Sequence, residues 1–145
     1  MIYTITSPTK LGIYLQNDIW KTLAQVQNNI HADVLINAQM WNMSTGLDSY
    51  SLKVDGTIYA DDGSYWYGYG WNNDEVTLHF SNNISKFDNF IGCELIVNEG
   101  KPITQSNWIG RRGRTGMGLD KDGNIILFCV GDNTSESCDV VSMAN

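Results

Sequence analysis

The sequence lacks the features that mark membrane-spanning, disulfide-bonded and disordered proteins. Only two of its 145 residues are proline, and its three cysteines are odd in number without a Cys-x-x-Cys spacing. That pattern favours reduced thiols over a disulfide framework or a zinc site. No apolar run approaches about 18 residues, and the first ten residues lack the pattern of a signal peptide. We therefore expect a soluble protein, whose localisation the sequence leaves unknown.

Positive charge is scarce as well. Nine lysines and arginines stand against sixteen aspartates and glutamates, giving a formal net charge of -7. Nucleic acids and anionic membranes require a broad positive surface, so we expect neither as a partner. The two histidines lie far apart, and no metal motif is evident, so the cofactor is unknown. A chain of this length with 42% hydrophobic residues predicts one folded domain over residues 1–145.

The arginines are concentrated in one short segment. All three arginines fall within Arg111-Arg112-Gly113-Arg114. A guanidinium group presents a planar fork of donors that matches carboxylate or phosphate oxygens two at a time. Closely spaced cations repel one another unless an anion or buried carboxylates lie between them. The segment therefore predicts a small-anion site, although an edge hairpin with a solvated basic start is an equally open interpretation.

Alternation and turn residues predict an α+β fold with a largely antiparallel or mixed sheet and few helices. The predicted strands cover residues 2–6, 11–15, 33–37, 49–54, 57–60, 75–80, 90–97, 114–119 and 124–130. Helical spacing predicts a helix over residues 19–30, capped by Asn17 or Asp18. Asp55-Gly56 and residues 120–123 predict two hairpins. The tail from residue 137 to 145 reads as the start of a helix.

Two further features point to a site on this scaffold. Asn37 ends a predicted buried strand, where side chains are well placed for binding, although an asparagine there also caps turns. In the predicted strand 114–119, Arg114, Gly116 and Gly118 share one face under period-two alternation. Glycines on that face allow a ligand or another backbone to approach closely.

Two segments resemble the phosphodiester glycosidase family. Residues 36–42, Ile-Asn-Ala-Gln-Met-Trp-Asn, are similar to its I-N-A-G-x-F segment, and residues 112–127 are similar to its R-x-R-T-A-I-G-x-x-x-x-G-x-L-x-L block. Lys101-Pro102 also resembles the family's G-x-P stretch ahead of the arginines. The resemblance runs from Val34 onward, with Gln39 and Trp41 in place of the family's glycine and phenylalanine.

The resemblance implies a hydrolase that cleaves between a sugar's anomeric carbon and a phosphodiester, on a sugar phosphate or cell-surface glycan. It implies that Arg112 and Arg114 bind the phosphate, with Asn37 as a polar group of the catalytic site. Glycoside hydrolysis generally requires a carboxylate, and the candidates are Asp132 and Glu94. We prefer Asp132 because it follows the strand that leads from the arginine hairpin. Asp132 capping a turn and Glu94 facing solvent are the alternatives.

An aromatic run, Tyr65-Trp66-Tyr67-Gly68-Tyr69-Gly70-Trp71, is the most unusual composition in the chain. Flat aromatic faces stack on sugar rings, but the same row is also typical of packing within a sheet. We expect packing for most of it, with Trp66 or Trp71 left free to stack on a sugar.

A second function is open. The family continues through a helix to an L-D-G-G-G-S-S segment, and this sequence ends before it. We therefore expect either a fragment, or a partner chain or missing segment that completes the fold. The alternative to a hydrolase is a non-catalytic glycan- or phosphate-binding module of a phage or surface assembly, or an inactive fragment of the enzyme.

Overall fold

The computed structural model of the chain describes residues 1–16, 21–38, 44, 50–61, 63, 67–103, 110–132, 135, 137–139 and 143. Within these residues one α-helix and ten strands form an α+β fold dominated by antiparallel sheet, which confirms the predicted fold class. The helix α1 spans Leu23–Ile30, and a short 3₁₀ helix spans Ile84–Lys86. The strands are β1 (Ile2–Ile5), β2 (Leu52–Val54), β3 (Thr57–Ala60), β4 (Gly68–Trp71), β5 (His79–Ser81), β6 (Asn89–Gly92), β7 (Val97–Asn98), β8 (Lys101–Pro102), β9 (Arg114–Leu119) and β10 (Ile125–Val130).

The strands form three antiparallel sheets in the part of the chain that is described. One sheet has the order β1-β10-β9, a second has the order β3-β2-β6-β4-β5, and β7 pairs with β8 alone. Helix α1 is the longest helix there, and no described helix is long and apolar enough to cross a membrane.

Both predicted hairpins are confirmed. Asp55 and Gly56 join β2 to β3 with φ angles of 47° and 80°, the left-handed pair that a two-residue hairpin favours. In the other hairpin, Asp120 Oδ1 accepts hydrogen bonds from the main-chain nitrogens of Asp122 and Asn124, at 2.9 and 2.8 Å. Bonds from Asn124, its side-chain amide first, lower the pKa of Asp120. This turn sets the register of β9 against β10.

Helix α1 begins later than the sequence predicts. Thr22 is its N-cap and forms a capping box with Gln25, so the helix starts at Leu23 rather than at residue 19. The predicted caps Asn17 and Asp18 lie outside the described residues. The helix ends at Ile30, followed by His31 in the left-handed conformation.

Two predicted strands are wrong. Residues 11–15 and 33–37 pair with no described strand. Their apolar side chains, Leu11, Ile13, Leu15 and Ile36, pack against the core instead. An apolar pattern in the sequence indicates that a segment is buried. A segment that is buried without pairing to a neighbouring strand gives the same pattern. Two other predicted strands are shortened, because 75–80 yields only β5 and 90–97 is divided between β6 and β7.

The three-stranded and five-stranded sheets share one hydrophobic core. Tyr69 and Trp71 from β4 belong to the same buried cluster as Ile125 and Leu127 from β10. The glycines that alternate with these aromatics serve the opposite face of β4. There the ring of Phe87 packs directly against Gly70, and a Cβ atom at Gly68 would lie 2.8 Å from Phe90 Cζ. The alternating aromatics and glycines of β4 are therefore explained by packing on both faces of the sheet.

Candidate functional site

The arginine segment, residues 111–114, lies at the open end of the β9–β10 hairpin. Arg114 is the first residue of β9 and is paired with Val130. Two residues earlier, Arg112 forms an isolated bridge with Cys138, through main-chain hydrogen bonds of 3.1 and 3.3 Å. The main chain of the segment is thus held at both ends, so its side chains project from an ordered backbone.

The guanidinium groups of Arg111 and Arg114 donate to main-chain carbonyl oxygens. Arg114 Nη2 donates to Gly110 O at 3.1 Å, and Arg111 Nη2 donates to Ser135 O at the same distance. Arg114 is half-buried, and its Nε is buried without a hydrogen-bond partner among the described residues. The ion pairs between described residues are His79–Glu75 and Lys121–Asp122. Neither of these two ion pairs involves an arginine.

Asp132 lies against the arginine segment. Its Oδ1 accepts a hydrogen bond from Gly113 N at 3.1 Å. The two backbones are also close, because a Cβ atom at Gly113 would lie 2.8 Å from Asp132 N. Position 113 therefore requires glycine, because a larger residue would collide with the backbone of Asp132. The carboxylate of Asp132 lies against Gly113, the residue between Arg112 and Arg114.

Asn37 reaches the hairpin through its main chain. Its carbonyl oxygen accepts a hydrogen bond of 3.3 Å from Thr115 Oγ1, across 78 positions of sequence. Thr115 follows Arg114 in β9, and successive side chains of a strand point to opposite faces. The contact thus brings Asn37 next to the arginine segment but on the face of β9 that Arg114 does not occupy.

The glycine face of β9 is partly covered by the chain itself. A Cβ atom at Gly116 would collide with the methyl group of Met143, whereas nothing lies within 4 Å of the corresponding position at Gly118. Met143 N donates to Asp139 O, four residues earlier, which is the spacing of a helical turn. The predicted C-terminal helix is wrong over residues 137–139, where Cys138 forms a β-bridge with Arg112. Its residues 140–142, 144 and 145 lie outside the described residues.

Glu94 belongs to a different region of the fold. It follows β6, and its Oε2 accepts a hydrogen bond of 2.9 Å from the hydroxyl of the buried Tyr50. Burial, followed by the bond to Glu94, raises the pKa of Tyr50 far above its ordinary value. Over the described ranges, no hydrogen bond or ion pair joins Glu94 to an arginine. Its contacts give it a structural partner within the five-stranded sheet.

The structure corrects one of the two sugar-stacking assignments. Trp71 is only 4% exposed and is part of the shared core, so its ring is not available to a sugar. The preceding residue, Gly70, lies against the ring of Phe87, so the opposite face of β4 is packed as well. Trp66 lies outside the described residues. The exposed aromatic rings near this strand are Tyr67 and Phe80, which stack on each other with centroids 5.2 Å apart.

Several contacts of the site have no signal in the sequence. Three contacts join the arginine segment and β9 to the C-terminal segment: the bridge between Arg112 and Cys138, the bond from Arg111 to Ser135 and the cover of Gly116 by Met143. Only the glycines at 113 and 116 hint at close approach. No group of three or more histidine, cysteine or acidic residues that could hold a metal is found in the described residues, and all three cysteines are free thiols.

Comparison with known proteins assigns no class. The chain matches no family model, no curated protein and no solved structure. The functional proposal therefore depends on the geometry of the arginine segment and on the two segments, residues 36–42 and 112–127, that resemble phosphodiester glycosidases.

Proposed function

We propose that this protein recognises the phosphate group of a sugar phosphodiester at the arginine segment. The observation that carries the proposal is the concentration of three arginines within four residues, of which Arg111 and Arg114 donate to neutral carbonyl oxygens. Cationic side chains this close in sequence repel one another where they approach in space, and a bound phosphate offsets that repulsion. Arginine forks match phosphate oxygens in paired hydrogen bonds, which are stronger than bonds between neutral groups.

The arginines differ in their freedom to bind. Arg112 is exposed, and its main chain is held by the bridge to Cys138. Its side chain is therefore open to a ligand while its backbone stays in place. Arg114 is half-buried and is anchored to Gly110 O, which limits the rotamer entropy that binding would cost. We therefore assign the main phosphate contacts to Arg112 and Arg114. Arg111, bonded to Ser135 O, has a secondary role.

Hydrolysis of the glycosidic bond is the second proposed function. Its support is the resemblance to phosphodiester glycosidases, carried by residues 36–42 and 112–127. In such a reaction the guanidinium groups would stabilise the negative charge of the departing phosphate, as preorganised donors do at other developing anions. A binding module needs the arginines alone, whereas a hydrolase also needs a group that activates water.

Replacement of either phosphate-binding arginine tests the recognition proposal. We expect Arg112→Ala and Arg114→Ala each to weaken binding of a hexose 1-(methyl phosphate) by about ten- to hundredfold, because a hydrogen bond to a charged group contributes about 1.5–3 kcal/mol. Isothermal titration calorimetry at constant ionic strength measures the change. Lys121→Ala is the matched control, since Lys121 lies at the far end of the same hairpin, 87% exposed and paired with Asp122.

Equal affinities for all four proteins would contradict the proposal. The same titrations, followed by a reducing-sugar assay, separate the two functions. Release of hexose by the wild type but not by the arginine variants supports the hydrolase. Saturable binding without release supports the binding module.

A further inference from the structure

We infer that Asp132 is a positioning residue that holds the arginine segment in its binding conformation and does not act as a general base. The inference rests on the proposed function, because it concerns how the same segment is oriented towards phosphate. It assigns to Asp132 a different role from the catalytic one that the family resemblance implies.

The contact geometry is that of a tether. Gly113 stands between the two proposed phosphate-binding arginines, and its amide donates to Asp132 Oδ1 at 3.1 Å. The neighbouring residue Arg112 is held through both of its main-chain groups by Cys138. Consecutive main-chain anchors at Arg112 and Gly113 determine the direction in which the side chains on either side leave the backbone.

The backbone contact makes the tether close. A Cβ atom at Gly113 would lie 2.8 Å from Asp132 N and 3.1 Å from Asp132 Cβ. Real side chains essentially never approach a backbone nitrogen this closely, so the segment and Asp132 fit together only because position 113 is glycine. The hydrogen bond and the packing contact thus act at the same residue of the segment.

The charge of Asp132 provides the distinguishing test. A carboxylate beside the arginines lowers the positive potential that attracts an anion, so its charge opposes phosphate binding while its oxygen supports the backbone. An asparagine retains an acceptor oxygen and removes the charge. A tether therefore tolerates asparagine but not alanine, whereas a general base tolerates neither.

We expect Asp132→Asn to bind inorganic phosphate as tightly as the wild type or a few-fold more tightly. We expect Asp132→Ala to bind about tenfold more weakly, because the segment loses the anchor at Gly113. Calorimetric titration measures both affinities. Asp122→Ala is the control of equal charge, since Asp122 is an exposed aspartate at the opposite end of the hairpin.

Hydrogen exchange of the Gly113 amide provides a readout that does not depend on phosphate. Exchange should be faster in Asp132→Ala than in the wild type and should stay slow in Asp132→Asn. Gly113→Ala should reproduce the weaker binding from the other side of the contact. If the wild type fails to bind phosphate while the exchange pattern holds, the proposed function fails and the tether stands.

Three outcomes would overturn the inference. Unchanged exchange and unchanged binding in Asp132→Ala would mean that the contact does not hold the segment. Equal losses in Asp132→Asn and Asp132→Ala would mean that an acceptor oxygen at position 132 is not sufficient to hold the segment. Retained phosphate affinity in Asp132→Asn with complete loss of hexose release would restore the role of a general base.

Discussion

Phe90→Ala should lower the free energy of unfolding by about 3–5 kcal/mol, the range for removing a large aromatic side chain from a core. Phe90 is 1% exposed and is the one side chain below 2% exposure among the residues described. Its ring stacks with Phe87 at a centroid distance of 6.3 Å and lies against Gly68 of β4. Neighbouring main chain in a sheet cannot collapse into the space that the ring vacates. Urea denaturation followed by circular dichroism measures the loss.

Phe80→Ala is the matched control for this prediction. Phe80 is 38% exposed at the edge strand β5 and stacks on the exposed Tyr67. The same substitution should lower the free energy of unfolding much less at this position, because the ring of Phe80 is already partly exposed to water. A domain of this size is typically stable by about 5–15 kcal/mol, so the first variant should be close to unfolding at 37 °C while the second remains folded. Equal losses in the two variants would contradict the packing described for β4.

We expect the second large effect for Gly68→Ala, which should lower the free energy of unfolding by about 3 kcal/mol or more. The added Cβ atom would collide with Ile91 O and would lie 2.8 Å from Phe90 Cζ. Overpacking usually costs about 1–3 kcal/mol, and the cost rises when the obstacle is backbone that cannot rotate away. Because Gly68 is paired with Gly92 in β6, relief of the collision must distort the β4–β6 ladder.

Gly118→Ala provides the comparison for the glycine in β4. Gly118 also lies inside a strand, β9, but a Cβ atom there meets nothing within 4 Å. The substitution should be neutral or should stabilise the protein by about 0.4–1 kcal/mol, because alanine restricts the unfolded chain. Thermal unfolding of the two variants gives the contrast. A Gly68→Ala protein as stable as Gly118→Ala would show that the approach of β6 to β4 is looser than described.

Local signals in the sequence predict the hairpins but not the irregular segments. Asp55-Gly56 and the acidic turn at residues 120–123 carry their own turn chemistry, and both hairpins form where expected. Residues 11–15 alternate as a strand does, and residues 33–37 carry the apolar run of a buried strand. Neither segment forms a ladder with a described strand, although Leu11, Ile13, Leu15 and Ile36 pack on the core. Which buried segment finds a hydrogen-bonding partner depends on the whole fold, and no short window of sequence contains that information.

The sequence likewise predicts some features of the candidate site and not others. The concentration of arginines at 111–114 is visible in the sequence, because it is a property of four adjacent residues. The contact of Gly113 with Asp132, 19 positions away, and that of Thr115 with Asn37, 78 positions away, depend on tertiary structure. Trp71 shows the opposite error. The sequence predicts that Trp66 or Trp71 is free to stack on a sugar, whereas Trp71 is buried in the core. Phe87 and Phe90 pack against the glycines on the other face of β4.

The most direct test of phosphate recognition uses the chain's scarcity of arginine. Protein labelled with ¹⁵N at arginine has only three Nε–Hε signals, all from residues 111–114, and each is assigned by an arginine-to-lysine variant. Addition of inorganic phosphate at constant ionic strength should shift the Arg112 and Arg114 signals along saturable curves, while chloride leaves them in place. Three signals that stay fixed, or that move linearly and together with either salt, would contradict an anion site at this segment.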